Sequence, residues 1–120
     1  MSVINLQLES QGSNFEPGQT LTGEANWILD RAATAIEISL IWYTSGKGTT
    51  DHGKPFTQRV ERPPQQGRQP FSFTLPAGPF SFSGRLITLS WAVEAIILPE
   101  KSQIRREIMV APGRMEITLP

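Results

Sequence analysis

The chain has 120 residues, 38% of them hydrophobic and 18% charged, with no cysteine; its length fits one domain with one real core, spanning residues 1–120. Eleven Lys plus Arg balance eleven Asp plus Glu, which argues against nucleic acid or an anionic membrane as the main partner. The missing thiols exclude disulfides, cysteine nucleophiles and Cys-ligated metal sites.

The opening residues carry no basic, apolar leader pattern, so the chain is expected in the cytoplasm. Ile4, Leu6 and Leu8 recur at every second position, the mark of a strand with one buried face. Gly and Pro around residues 12–18 cut the chain. Alternation resumes at Leu21, Ala25, Trp27 and Leu29, and again at Ile36, Ile38, Leu40 and Trp42. Residues 30–41 lack Gly and Pro, and Ile28, Ala32, Ile36 and Leu40 also sit at helical spacing. A strand is preferred there, because it buries Ile36, Ile38, Leu40 and Trp42 together and suits their β-branched and aromatic side chains. Residues 30–34 then connect two strands, with room for one helical turn.

Residues 46–53 read as a hairpin loop. The run Ser45-Gly46-Lys47-Gly48-Thr49-Thr50 resembles a phosphate-binding loop only superficially, since it lacks the leading glycine and no helix follows. Residues 54–62 read as an edge strand guarded by Pro55 and the charges of Lys54, Arg59 and Arg62. Phe71, Phe73 and Leu75 form another strand. Residues 78–84 place Phe80 and Phe82 in a turn-rich stretch, where they either close the core or present an apolar patch. The long strand Ile87, Leu89, Trp91, Val93, Ala95, Ile97 follows; 86–98 is its apolar stretch, too short to span a bilayer and interrupted by Glu94. Residues 104–110 alternate poorly, and Met115, Ile117 and Leu119 close the pattern.

Short strands without a convincing helix specify an all-β, two-sheet immunoglobulin-like sandwich. Trp27, Trp42 and Trp91 are its expected anchors. No catalytic group is assigned: His52 is the only histidine and sits in a loop, and neither a metal site nor a cofactor site has the ligands it would need. Arg59, Arg62, Arg68 and the pair Arg105-Arg106 read as solvated charges. A small-ligand or carbohydrate-binding sandwich is the competing reading, with Trp42, Tyr43, Phe80 or Phe82 as a stacking platform.

Phe15-x-Pro17-Gly18-Gln19-x-Leu21-x-Gly23-x-x-x-Trp27, then Ile36-x-Ile38-x-Leu40-x-Trp42, then Phe71-x-Phe73-x-Leu75-Pro76-x-x-Pro79-x-Ser81-Phe82-x-Gly84, then Trp91, together resemble an arrestin-like domain over residues 15–95. The resemblance is to the bacterial, sporulation-control-like branch, and the run from Trp42 to Asp51 with Lys47 and Gly48 looks like a feature of bacterial members. It implies a non-catalytic adaptor or scaffold that binds proteins through loops and strand edges. Arrestins, the retromer subunit sharing their fold and the sporulation-control relatives carry two such domains, so no receptor, clathrin or phosphopeptide site is carried over to one. A homodimer, or pairing with a second arrestin-like chain, is expected instead, by way of the lightly charged segments 3–9 and 115–119 unless these pair with each other. Lys47, Asp51, Phe80 and Phe82 are the candidate partner-binding residues.

Overall fold

The computed structural model describes residues 2–9, 14–46, 51–79, 81–83, 87–110 and 117–118. Among these residues ten strands succeed one another: β1 Val3–Leu8, β2 Asn14–Phe15, β3 Thr20–Ile28, β4 Ala35–Gly46, β5 His52–Glu61, β6 Gln66–Thr74, β7 Phe82–Ser83, β8 Ile87–Leu98, β9 Ser102–Val110 and β10 Ile117–Thr118. They form a three-stranded sheet, β1-β3-β6, and a larger sheet in the order β10-β7-β8-β4-β5, with β9 joined to β8 and β2 joined to β9. No helix occurs among the described residues, and 35–46 is a strand throughout. Among the described residues, the terminal segments do not pair with each other: β1 pairs with β3 and β10 with β7.

Alternation decides which side chains meet. Ile4, Leu6, Leu21, Ala25, Trp27, Phe71 and Phe73 from the smaller sheet pack against Ile36, Ile38, Leu40, Leu89, Trp91, Val93, Ala95 and Ile97 from the larger one. Each such apolar side chain contributes roughly 1.5–3 kcal/mol on burial. The two best-buried indoles have their N–H groups satisfied by proline carbonyls: Trp27 donates to Pro64 at 2.9 Å and Trp91 to Pro79 at 2.8 Å. Trp42 departs from the expected set. It is only half-buried and packs on the margin of the core, where β4 slips register against β5 between Leu40 and Trp42.

Three aromatic rings lie across glycines that face them in register, Phe71 over Gly23, Trp27 over Gly67 and Trp42 over Gly53. A flat ring thereby fills the space of two side chains in adjacent strands. The motif around Pro17 is also structural. Gln19 N–H returns to the Glu16 carbonyl at 3.1 Å and Gly18 adopts φ +84°, a turn with Pro at its second position and a glycine-requiring third. Gly18 N–H then donates to Leu75, and Leu75 N–H to Gln19, at 2.8 and 2.9 Å. The turn is thereby fastened to the end of β6.

Residues 104–110 alternate better than their sequence suggests. Ile104 faces Ala95 and Ile108 faces Trp91 across the β8–β9 ladder, and between them Arg106 faces Val93. The core-facing phase of β9 therefore contains a guanidinium.

Candidate interaction surfaces

Of the four residues singled out in the sequence, Lys47 and Phe80 lie outside the described residues. Phe82 is described by its backbone alone, paired with Leu89 and Ile117. Asp51 is exposed and closes the β4–β5 hairpin. Its N–H donates to Thr44 Oγ1 at 2.8 Å, its carbonyl accepts the Thr44 N–H at 2.9 Å, and its Oδ1 accepts the His52 N–H at 2.9 Å. These bonds give Asp51 a turn-closing job.

His52 pairs across from Tyr43 and is exposed. Among the described residues, no three His, Cys, Asp or Glu side chains converge as a metal site would require. Alanine at His52 is expected to keep stability within about 0.5 kcal/mol of wild type and to leave any biological activity intact. Thermal denaturation checks the first expectation, and a substrate conversion lost in the variant would overturn the second.

On the outer face of the larger sheet several charges pair with one another. Arg59 bridges Glu37 at 2.8 Å and also Glu61. Ser39 and Thr57 share a hydrogen bond at 3.0 Å. Arg105 binds Glu94 at 2.7 Å and lies 4.8 Å from the centre of the Tyr43 ring, and the neighbouring carboxylate raises its already high pKa. Beneath these long side chains Ser39 and Ala92 are buried although they point away from the core, and Glu94 is buried with them. Such exposed and half-exposed pairs add little to stability, because water screens them. Arg105 and Arg106, adjacent in sequence, point to opposite faces because a strand alternates.

The three-stranded sheet presents a different outer face. Val3 is 52% exposed, Ile28 is 55% exposed, and the two stand directly opposite each other. Around them Asn5, Asn26, Gln66 and Arg68 line a shallow depression of about 520 Å³. No ion pair to Arg68 occurs among the described residues. Sequence reading missed this surface because Val3 and Ile28 occupy the solvent phase of two strands far apart in the chain. Their only joint signal is a register that the sequence does not print.

The stacking platform of the competing reading does not assemble from Trp42 and Tyr43. Trp42 lies on the inner side across Gly53, while Tyr43 lies on the outer side beneath Arg105. Phe56, 43% exposed, instead stacks on Phe73, with ring centres 6.3 Å apart, and so belongs to the rim of the core.

Two facing sheets, the Pro17-Gly18 turn fastened to β6 and the long central pair β4–β8 define an arrestin-like β-sandwich. Among solved structures, the chain is similar to Spo0M, a sporulation control protein from Bacillus subtilis, with 18% identity and a TM-score of 0.66 over 92% of this chain and 49% of that one. It thus spans about half the length of that protein. A variant of the β-glucosidase from Listeria innocua, in complex with laminaribiose, is similar at 17% identity and a TM-score of 0.50, over 97% of this chain but 16% of the glucosidase. At these identities the likeness is one of fold. No family model matches the chain, and no curated protein matches it significantly.

Proposed function

We propose that the protein is a non-catalytic interaction module, an arrestin-like adaptor or scaffold that binds a protein partner in the cytoplasm. The observation that carries this reading is the Val3–Ile28 pair, two large apolar side chains more than half exposed at facing positions of one sheet. Exposed apolar residues at facing positions, rimmed by amides and one arginine, are the composition of an interaction surface. The likeness to a sporulation control protein supports a regulatory role over a catalytic one. No helix among the described residues is long and apolar enough to cross a membrane, which is compatible with the cytoplasmic placement.

Lysine at Ile28 tests the reading. The side chain is exposed, so the thermal midpoint is expected to stay close to wild type, whereas capture of the native partner, read by mass spectrometry after affinity purification, is expected to fall at least tenfold. Equal capture by both forms, or a substrate turned over by the wild type, would overturn it.

A further inference from the structure

Among the described residues, the two sheets end in strands whose outer backbone groups lack a neighbouring strand along most of their length, and these edges are not defended alike. On β5, Lys54, Pro55 and a register slip interrupt the edge. On β6, Pro70 removes an N–H, and its carbonyl already accepts the side-chain amides of Gln58 and Gln69 at 3.3 and 3.1 Å. On β9, Arg105, Arg106 and Glu107 stand in a row, and the last residues pair with β2. On β1 the sequence Val-Ile-Asn-Leu-Gln-Leu holds no charge and no proline, and its register against β3 runs unbroken from Val3–Ile28 to Leu8–Gly23. Charges, prolines and bulges are what prevent an edge from accepting another strand.

The direction of the free groups on β1 follows from its bonds. Glu9 N–H donates to Thr22 of β3 at 3.0 Å, so the odd-numbered residues face β3 and Ile4, Leu6 and Leu8 direct their N–H and C=O groups outward. The Leu6 carbonyl does not await a strand unoccupied. Arg106 reaches over from the core-facing phase of β9, and its Nε donates to that oxygen at 3.2 Å. A charge directed inward at the margin of a sandwich is itself a known guard against edge pairing, and here it is lent to β1 by the opposite sheet.

We propose that the free edge of β1 pairs with the β1 strand of a second copy, antiparallel, and that Arg106 restrains this pairing by holding the Leu6 carbonyl. The inference rests on reading the protein as an interaction module. The strand is self-complementary about Leu6: Leu6 faces Leu6 and Ile4 faces Leu8 on the core side, while Asn5 faces Gln7 on the outer side, so apolar meets apolar and amide meets amide. Val3 faces Glu9, and no like charges oppose. Pairing makes a continuous six-stranded sheet from the two copies and requires that the guanidinium let go.

Sedimentation equilibrium on the full chain supplies the test. Methionine at Arg106 keeps the length of the side chain but cannot donate, and it is expected to tighten dimerisation about tenfold over wild type. Adding Asn5→Lys and Gln7→Lys to that variant sets cations opposite each other on an exposed face and is expected to restore the monomer. Because methionine also adds apolar surface, a second measurement uses two synthetic peptides of the 3–9 sequence. One methylated on the backbone nitrogens of Asn5 and Gln7 keeps its pairing edge and is expected to dissociate the dimer; one methylated on Ile4, Leu6 and Leu8 is expected to have no effect. Wild type and Arg106→Met both monomeric at millimolar concentration, or equal action of the two peptides, would overturn the proposal. A photo-crosslinking residue in place of Val3, irradiated in the native cell, separates this failure from that of the interaction reading. Crosslinks to a different protein alone would defeat the second-copy pairing and leave the module reading standing, and no crosslink at all would defeat both.

Discussion

Alanine in place of Trp91 is expected to destabilise the protein by about 3–5 kcal/mol, a large share of a typical total of about 5–15 kcal/mol, and to lower the thermal midpoint by about 10–20 °C. Trp91 is fully buried and occupies the middle of the long β8 strand, facing Trp42 on one side and Ile108 on the other. Truncation leaves a cavity between the sheets that the ladders on both sides keep from collapsing. It also strips the half-buried Pro79 carbonyl of the indole N–H that reaches it at 2.8 Å, a hydrogen bond worth about 0.5–1.5 kcal/mol net. Phenylalanine at the same position returns most of the volume but no N–H, so its loss should fall between wild type and alanine. At Trp42, half-buried on the rim, alanine should cost less than half as much as at Trp91. Urea denaturation with a common m-value measures all three. A Trp91→Ala variant within 1 kcal/mol of wild type, or a Trp42 variant that loses more, would contradict the packing described.

What the sequence made legible, and what it did not, divides along a physical line. Alternation is local, so β1, β3, β4, β6 and β8 were all apparent as strands from residues two apart, and their buried faces followed. Pairing is not local. Nothing within either segment places Val3 opposite Ile28, and an apolar residue on the solvent phase looks like noise until register sets two of them together. The same limit explains Trp42. Its spacing from Leu40 continues the core pattern, but the slip against β5 and the reach of β4 past the centre of the sandwich move it to the margin. Arg105 and Arg106 are exposed, as solvated charges should be, but their separate partners are not local information. They adjoin in sequence, whereas the pleat sends one to Glu94 and Tyr43 and the other to the Leu6 carbonyl. The motifs that carried the family resemblance prove to be scaffold: Pro17, Gly18 and Gln19 build the turn on Leu75, and Pro79 supplies the acceptor for Trp91. Motifs of that kind identify a fold more readily than a partner, and of the candidate binding residues, Asp51 is engaged in closing a hairpin.

Gly23 is where the smallest substitution should have a large effect. Its backbone lies in an ordinary strand between β1 and β6, so conformation alone would admit any residue there, and valine would be favoured by strand preference. Space forbids it. A Cβ at this position would stand 2.5 Å from the Gln7 carbonyl oxygen and 2.6 Å from Cζ of Phe71. The ring is the end of a side chain and has some freedom to swing, but the carbonyl belongs to the backbone of β1, which is held along its length by β3. Gly23→Ala must therefore push β1 away from β3 or displace Phe71 into Phe73, whose ring centre is 5.5 Å distant. Overpacking of this kind costs about 1–3 kcal/mol, and Gly23→Val should exceed alanine in spite of its higher strand preference. A double-mutant cycle separates the two obstacles. If the ring is the main one, Phe71→Leu will recover much of the alanine penalty; if the Gln7 carbonyl is, the two losses will add. Alanine at Gly18 gives the comparison, since among the described residues no atom beyond its chain neighbours lies within 4 Å of its Cβ position and its φ of +84° is the main source of cost, about 1–2 kcal/mol. Gly23→Ala at wild-type stability would mean that β1 is free to move off β3, and the rigid ladder that directs Ile4, Leu6 and Leu8 toward the open edge would be wrong as well.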